Sequence, residues 1–92
     1  NYSAAKAGVA SMAVLWGKEL ARYGIRTGYV CPGFIRTEMT ASMKPEALEK
    51  ATAVIPLKRM GVPEEIAHAC KFIFENDYFT ARGFEVDAGL GA

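Results

Sequence analysis

Residues 3–23 dictate most of what this 92-residue chain can become. Nothing in them breaks a helix, despite Gly8 and Gly17, and Gly24 stands where a helix can stop in the left-handed conformation. At 1.5 Å per residue such a helix is roughly 30 Å long. Between Ala4 and Trp16 its residues are small or apolar nearly all the way round, and polar groups gather only at Lys18, Glu19 and Arg22. A helix apolar on every side is covered on more than one of them. Its small residues also let neighbouring backbones come close.

The composition sharpens that demand. Hydrophobic residues make up 51% of the chain and charged ones 23%, a heavy apolar load for a chain able to form one domain at most. The expected cover is the rest of a longer chain, a second subunit, or both. Cys31 and Cys70 lie far apart and His68 is the single histidine, so neither a zinc site nor a disulfide framework is expected. Free thiols suit a reducing, cytoplasmic compartment. A net charge of +1 gives no electrostatic case for nucleic acid or an anionic membrane. The longest uncharged stretch, residues 7–17, is too short to span a bilayer and does not fit a secretory signal.

After the helix, residues 25–31 read as a buried strand stopped by Pro32-Gly33. A short helix is expected at residues 45–53. Pro63 then opens a second one, with Glu64 and Glu65 in the first turn, where the helix dipole favours acids. Ile66, Ala69, Cys70, Ile73 and Phe74 form one apolar stripe that runs towards a stop at Asn76. Residues 83–87 alternate as a last strand, with Phe84 and Val86 on one face. Helix, strand, helix, helix, strand is the second half of an open, doubly wound parallel α/β sheet.

Two patterns could carry chemistry. Tyr2 and Lys6 share a helix face one turn apart. An unperturbed phenol, with a pKa of about 10, is a poor proton donor at neutral pH. A neighbouring ammonium stabilises the phenolate and makes proton exchange with a carbonyl or alcohol oxygen useful. The same spacing also arises from an ordinary contact on a helix surface. The second pattern is "CPGFIRTEM". In doubly wound sheets ligands bind beyond the carboxyl ends of the strands, where Pro32 and Gly33 stand, and Thr37 adds a hydroxyl. Taken alone, this too could be a plain turn.

Together, in this order, the two patterns resemble the classical short-chain dehydrogenase/reductase family. Tyr2-Ser-Ala-Ala-Lys6, Pro32-Gly33-Phe-Ile-Arg-Thr37, "PLKRMGVPEEIA" and "FTARGFEVDAG" match it in register over essentially the whole chain. "PGFIRTEM" is most similar to the 3-oxoacyl-carrier-protein reductase branch. The resemblance implies a Rossmann-like fold of which residues 1–92 form the C-terminal half, carrying the catalytic pair, the substrate loop and the oligomer contacts. It implies hydride transfer between NAD or NADP and a small carbonyl or alcohol substrate. Tyr2 would be the general acid or base, and Lys6 would assist it and hold the nicotinamide ribose. Pro32 and Gly33 would shape the nicotinamide pocket, the backbone of Ile35 and the hydroxyl of Thr37 would bind the carboxamide, and residues 38–57 would cover the substrate. Homodimers or homotetramers would form through the long helix and through the last helix and strand.

Some positions depart from the pattern. Thr27 and Gly28 stand where valine and asparagine are usual, a change expected to loosen the strand. Ala81 and Ala88 replace glycines. No glycine-rich phosphate loop is present, and the family's catalytic serine and asparagine would lie before Asn1. The resemblance therefore puts the opening of the chain inside an active site, and the 92 residues alone are expected not to turn over substrate. A second reading is a non-catalytic assembly module that keeps a relic Tyr-Lys pair. Trp16 and Cys70 read as packing, His68 as a solvated or interface residue, and Cys31 as an unactivated neighbour of the pocket. Phe72, Tyr78, Phe79 and Phe84 read as core or subunit contact.

Overall fold

The computed structural model describes residues 2–92, except for the side chain of Tyr2. The first helix, α1, runs Tyr2–Leu20, and its last turn tightens into a 3₁₀ turn at Ala21–Tyr23. Gly24 ends it at φ 76°, the left-handed stop that its position predicts. Strand β1 (Gly28–Pro32) and strand β2 (Arg82–Val86) form a parallel pair in which Gly28 faces Arg82 and Pro32 faces Val86. The crossover between them holds a four-residue helix α2 (Glu38–Ala41), then α3 (Pro45–Ala53) and α4 (Pro63–Glu75).

Helices α1 and α4 cover opposite faces of this ribbon, and side-chain size decides which residue goes where. On the α4 side, Gly28 lies under Ile73 and Phe79; a Cβ there would stand 2.9 Å from Ile73 Cγ2. Phe72, Phe79 and Phe84 close that face as a cluster of rings with centroids 5.3–5.7 Å apart. Opposite, Ala13 and Gly17 of α1 come down on the start of β1. The Thr27 hydroxyl donates to the Ala13 carbonyl at 2.6 Å, and a Cβ at Gly17 would stand 2.6 Å from that of Ala81. The close approach expected of a small-residue helix is therefore used at this crossing.

Several boundaries and placements differ from the expectation. The strand starts at Gly28 and not at residue 25, because the preceding side chains are committed elsewhere. Arg26 reaches the end of α4, while the Thr27 amide donates to the Thr80 hydroxyl at 3.0 Å. Gly28 does not loosen the strand; it is the residue that lets α4 sit on it. Helix α2 was not foreseen and exists through a reciprocal cap between Thr37 and Thr40. Trp16, expected in the packing, is 47% exposed on the outward side of α1 with Val9 and Met12, and Phe74 of the apolar stripe is 80% exposed. Cys70 is half-buried and Tyr78 fully exposed. The radius of gyration, 15.5 Å, exceeds the roughly 12 Å of a compact chain of this length.

Ala81 and Ala88, the two alanines at glycine positions, adopt φ 61° and 57°. A left-handed conformation costs an L-residue roughly 1–2 kcal/mol, of which a glycine returns part as unfolded-state entropy. The Ala88 carbonyl accepts from Leu57 N at 3.3 Å through backbone alone, so a glycine there keeps the bond. Ala88→Gly is expected to raise the stability of the full natural chain by about 0.5–1 kcal/mol in a denaturant titration. An unchanged or lower midpoint would show that the strain is relaxed in solution. Ala81→Gly should gain less, since its methyl is buried against Gly17.

Candidate active site

The carboxyl end of β1 does not stop at the proline. Gly33 N–H donates to the Val86 carbonyl at 3.1 Å, one step past the last strand pair. A Cβ at Gly33 would lie 2.7 Å from Asp87 Cβ, so only glycine lets the two strand ends pass this closely. Asp87 in turn folds the tail over: its carboxylate accepts from Gly89 N at 3.0 Å and from Gly91 N at 2.9 Å. Between the two ends lies an open cleft of 270 Å³ lined by Pro32, Gly33, Phe34 and Leu90.

Past the cleft the chain meets the loop that precedes α4. Gly61 N–H donates to the Phe34 carbonyl at 2.9 Å, and Arg36 N–H donates to the Gly61 carbonyl at 2.8 Å. These bonds bracket Ile35 as a parallel bridge, so Ile35 turns its own amide and carbonyl away from Gly61. Thr37 follows, exposed, as the N-cap of α2. Its hydroxyl accepts from Thr40 N at 3.4 Å, and its amide donates to the Thr40 hydroxyl at 2.8 Å. The cap uses the Thr37 oxygen as an acceptor and leaves the hydroxyl hydrogen to be directed outward.

Lys6 sits on the sheet side of α1, with its side chain 22% exposed, and forms an ion pair with Glu85 of β2. Glu85 is in register with Cys31, next to Pro32. Lys6 and the turn at residues 32–37 therefore share one end of the ribbon. Tyr2 begins α1 one turn before Lys6, but its side chain, and with it the Tyr2–Lys6 geometry, lies outside the described residues. Glu85 was not singled out in the sequence, because nothing local marks a partner 79 positions from Lys6.

A second charged group lies beside the turn. Arg59 donates to both oxygens of Glu65, at 2.9 and 2.8 Å, and Glu65 Oε1 also accepts from Val62 N at 2.9 Å. The Arg59 bonds, followed by the Val62 amide, hold the Glu65 carboxyl down at about 2, and the same partner raises Arg59. A depressed carboxylate adds stability above its unfolded pKa of about 4.3, and that contribution fades as the pH falls towards 2. The pair is therefore intact at any neutral or mildly acidic pH. It borders a cavity of 140 Å³ whose wall includes Ile35, Gly61, Val86 and Ala88.

Of the remaining candidates, Cys31 is buried beneath the turn and His68 is exposed on α4. Among the described residues no three His, Cys, Asp or Glu side chains converge on a point, and no helix is long and apolar enough to cross a membrane.

Comparison with known proteins bears on the family and the fold. The family model described as enoyl-(acyl carrier protein) reductase matches residues 1–91. A 3-oxoacyl-[acyl-carrier-protein] reductase of Thermotoga maritima is 46% identical over 92 residues, covering 98% of this chain and 37% of the relative. A (3R)-3-hydroxyacyl-CoA dehydrogenase of Mus musculus is 44% identical over 92 residues, covering 98% and 36%. The crystal structure of a 3-oxoacyl-[acyl-carrier protein] reductase from Brucella melitensis superimposes with a TM-score of 0.87 at 29% identity, over 99% of this chain and 35% of that one. The chain thus spans little more than a third of the relatives it matches.

Proposed function

Because the chain belongs to the short-chain dehydrogenase/reductase family, we propose that it supplies the proton-transfer and substrate-side part of an oxidoreductase that interconverts a carbonyl and an alcohol with NAD or NADP. The observation that carries this reading is the meeting of Lys6 and the turn at residues 32–37 at one end of the ribbon. That end is where an open parallel sheet binds ligands.

When bound, the nicotinamide supplies or accepts the hydride. The residues present fit such a group. A flat ring needs a turn without side chains, and Gly33 has no room for one. A carboxamide needs a donor and an acceptor, and Ile35 turns its amide and carbonyl away from the loop behind it. The Thr37 hydroxyl supplies a further donor. Tyr2 delivers a proton to the substrate oxygen in reduction and removes it in oxidation. Lys6 holds positive charge one helical turn along α1 from Tyr2 and is the group that would hydrogen-bond the nicotinamide ribose. Residues 38–57 would cover the substrate, and Met39, Val54 and Leu57, all exposed, supply apolar surface for it. Two of the relatives are named for 3-oxo- or 3-hydroxyacyl groups, which favours an acyl thioester. The outward face of α1, with Val9, Met12 and Trp16 at helical spacing, supports assembly into a homodimer or homotetramer.

The test is consumption of reduced nicotinamide by the full natural chain with a 3-oxoacyl thioester, beside the 92 residues alone. The full chain should turn over and the 92 residues should not. If the full chain consumes neither NADH nor NADPH with acyl thioesters or simple ketones, the oxidoreductase reading falls and the assembly module remains. Turnover by the 92 residues alone would reject the division of labour proposed here.

A further inference from the structure

The segment "PLKRMGVPEEIA" matches the family but has no part in the chemistry above, and the structure gives it one. We propose that Arg59 and Glu65 are positioning residues for the nicotinamide-side turn, acting through the backbone of Gly61. This rests on the oxidoreductase reading and extends it to two residues that would act through Gly61.

Each link is short. The guanidinium grips both Glu65 oxygens and also donates to the Met60 carbonyl at 3.0 Å, so one side chain ties the loop before α4 to the first turn of that helix. Glu65 closes the ring by accepting from the Val62 amide at 2.9 Å. Gly61 is thereby fixed between Met60 and Val62, both of which are held. Its amide and carbonyl are the two groups that bracket Ile35, through Phe34 and Arg36. A Cβ on Gly61 would lie 3.0 Å from Ile35 Cδ1 and 3.4 Å from Glu65 Oε1, so the clamp and the turn are packed against each other at this residue. The direction of the Ile35 amide and carbonyl is thus set from behind by a bidentate ion pair, whose fixed fork geometry a lysine cannot reproduce. An exposed pair of this kind is worth little as bulk stabilisation, which fits a role in placement better than one in holding the fold.

The experiment uses the full natural chain with Glu65→Gln, Arg59→Gln and the double substitution, read by separate KM values for cofactor and carbonyl substrate, by kcat, and by thermal melting. Each single change should raise the cofactor KM about fivefold with the substrate KM within about twofold, and the double change should do no more than either single one. Cofactor KM at the wild-type value in folded variants, or both KM values rising together, would overturn the proposal and leave a local helix cap. If Glu65→Gln does not fold, Arg59→Gln decides the matter, since it leaves Glu65 on the Val62 amide. The oxidoreductase reading has its own control. If the wild-type chain shows no cofactor-dependent turnover, that reading has failed; if it turns over and the cofactor KM ignores both substitutions, only the clamp has.

Discussion

Tyr2→Phe in the full natural chain is expected to cut turnover by about 10²–10⁴-fold while leaving the melting temperature unchanged. The substitution keeps the aromatic ring at the head of α1 and removes one hydroxyl, so packing has little reason to respond. The chemistry has every reason. Moving hydride to a carbonyl carbon puts negative charge on the oxygen, and the only proton donor proposed for that oxygen is the phenol. In the proposed mechanism the cation of Lys6, one turn along α1, makes the phenol competent near neutral pH. In that proposal the Glu85 carboxylate on Lys6 would offset part of the positive charge, an effect that water screens at its 47% exposure. The residual rate in Tyr2→Phe should come from positioning of substrate beside the nicotinamide, which the substitution does not touch. Turnover within twofold of wild type would remove Tyr2 from the mechanism and return the pair to a surface contact on a helix.

How much of this was legible beforehand depends on whether the determining contact is local. The stop at Gly24, the start of α4 at Pro63 and the limits of α3 were readable, because caps and prolines act within a turn of where they stand. The parallel order of β1 and β2 followed from a long helical crossover between two short apolar runs. The turn at residues 32–37 could be placed at a strand end, but not its anchoring. Gly61 meets Phe34 and Arg36 only in three dimensions, and Gly17 and Gly28, which pack closely on their neighbours, looked like weaknesses. Ala81 and Ala88 were marked as departures, and their positive φ shows why glycine would suit them. The exposure of Trp16 and Phe74 was missed for the opposite reason. Apolar character predicts that a residue will be covered, not that its own chain will supply the cover.

Arg26 was given no role in the sequence, yet Arg26→Ala should cost roughly 2–4 kcal/mol of stability. Helix α4 ends at Glu75, where the last carbonyls of any helix lack partners and carry the negative end of its dipole. The Arg26 guanidinium fills that position. Its Nη1 donates to the carbonyls of Ile73 at 2.8 Å, Asn76 at 3.0 Å and Phe79 at 3.0 Å, and its Nη2 to Phe74 at 3.1 Å. One nitrogen with two hydrogens serves three acceptors, so at least one of those bonds is shared. The carbonyls of Ile73 and Phe79 are part-buried and would be left unsatisfied, whereas those of Phe74 and Asn76 can turn to water. Asp77, 3.9 Å away and exposed, adds little. Arg26→Lys should recover less than half of the loss, because a single ammonium cannot span acceptors spread round a helix end. A denaturant midpoint shifted by less than about 1 kcal/mol in Arg26→Ala would mean that water replaces the guanidinium at all four carbonyls. Arg26 precedes β1 and so lies at the end of the ribbon opposite the turn at residues 32–37. Activity per folded molecule should therefore hold in Arg26→Ala, the reverse of what Tyr2→Phe does.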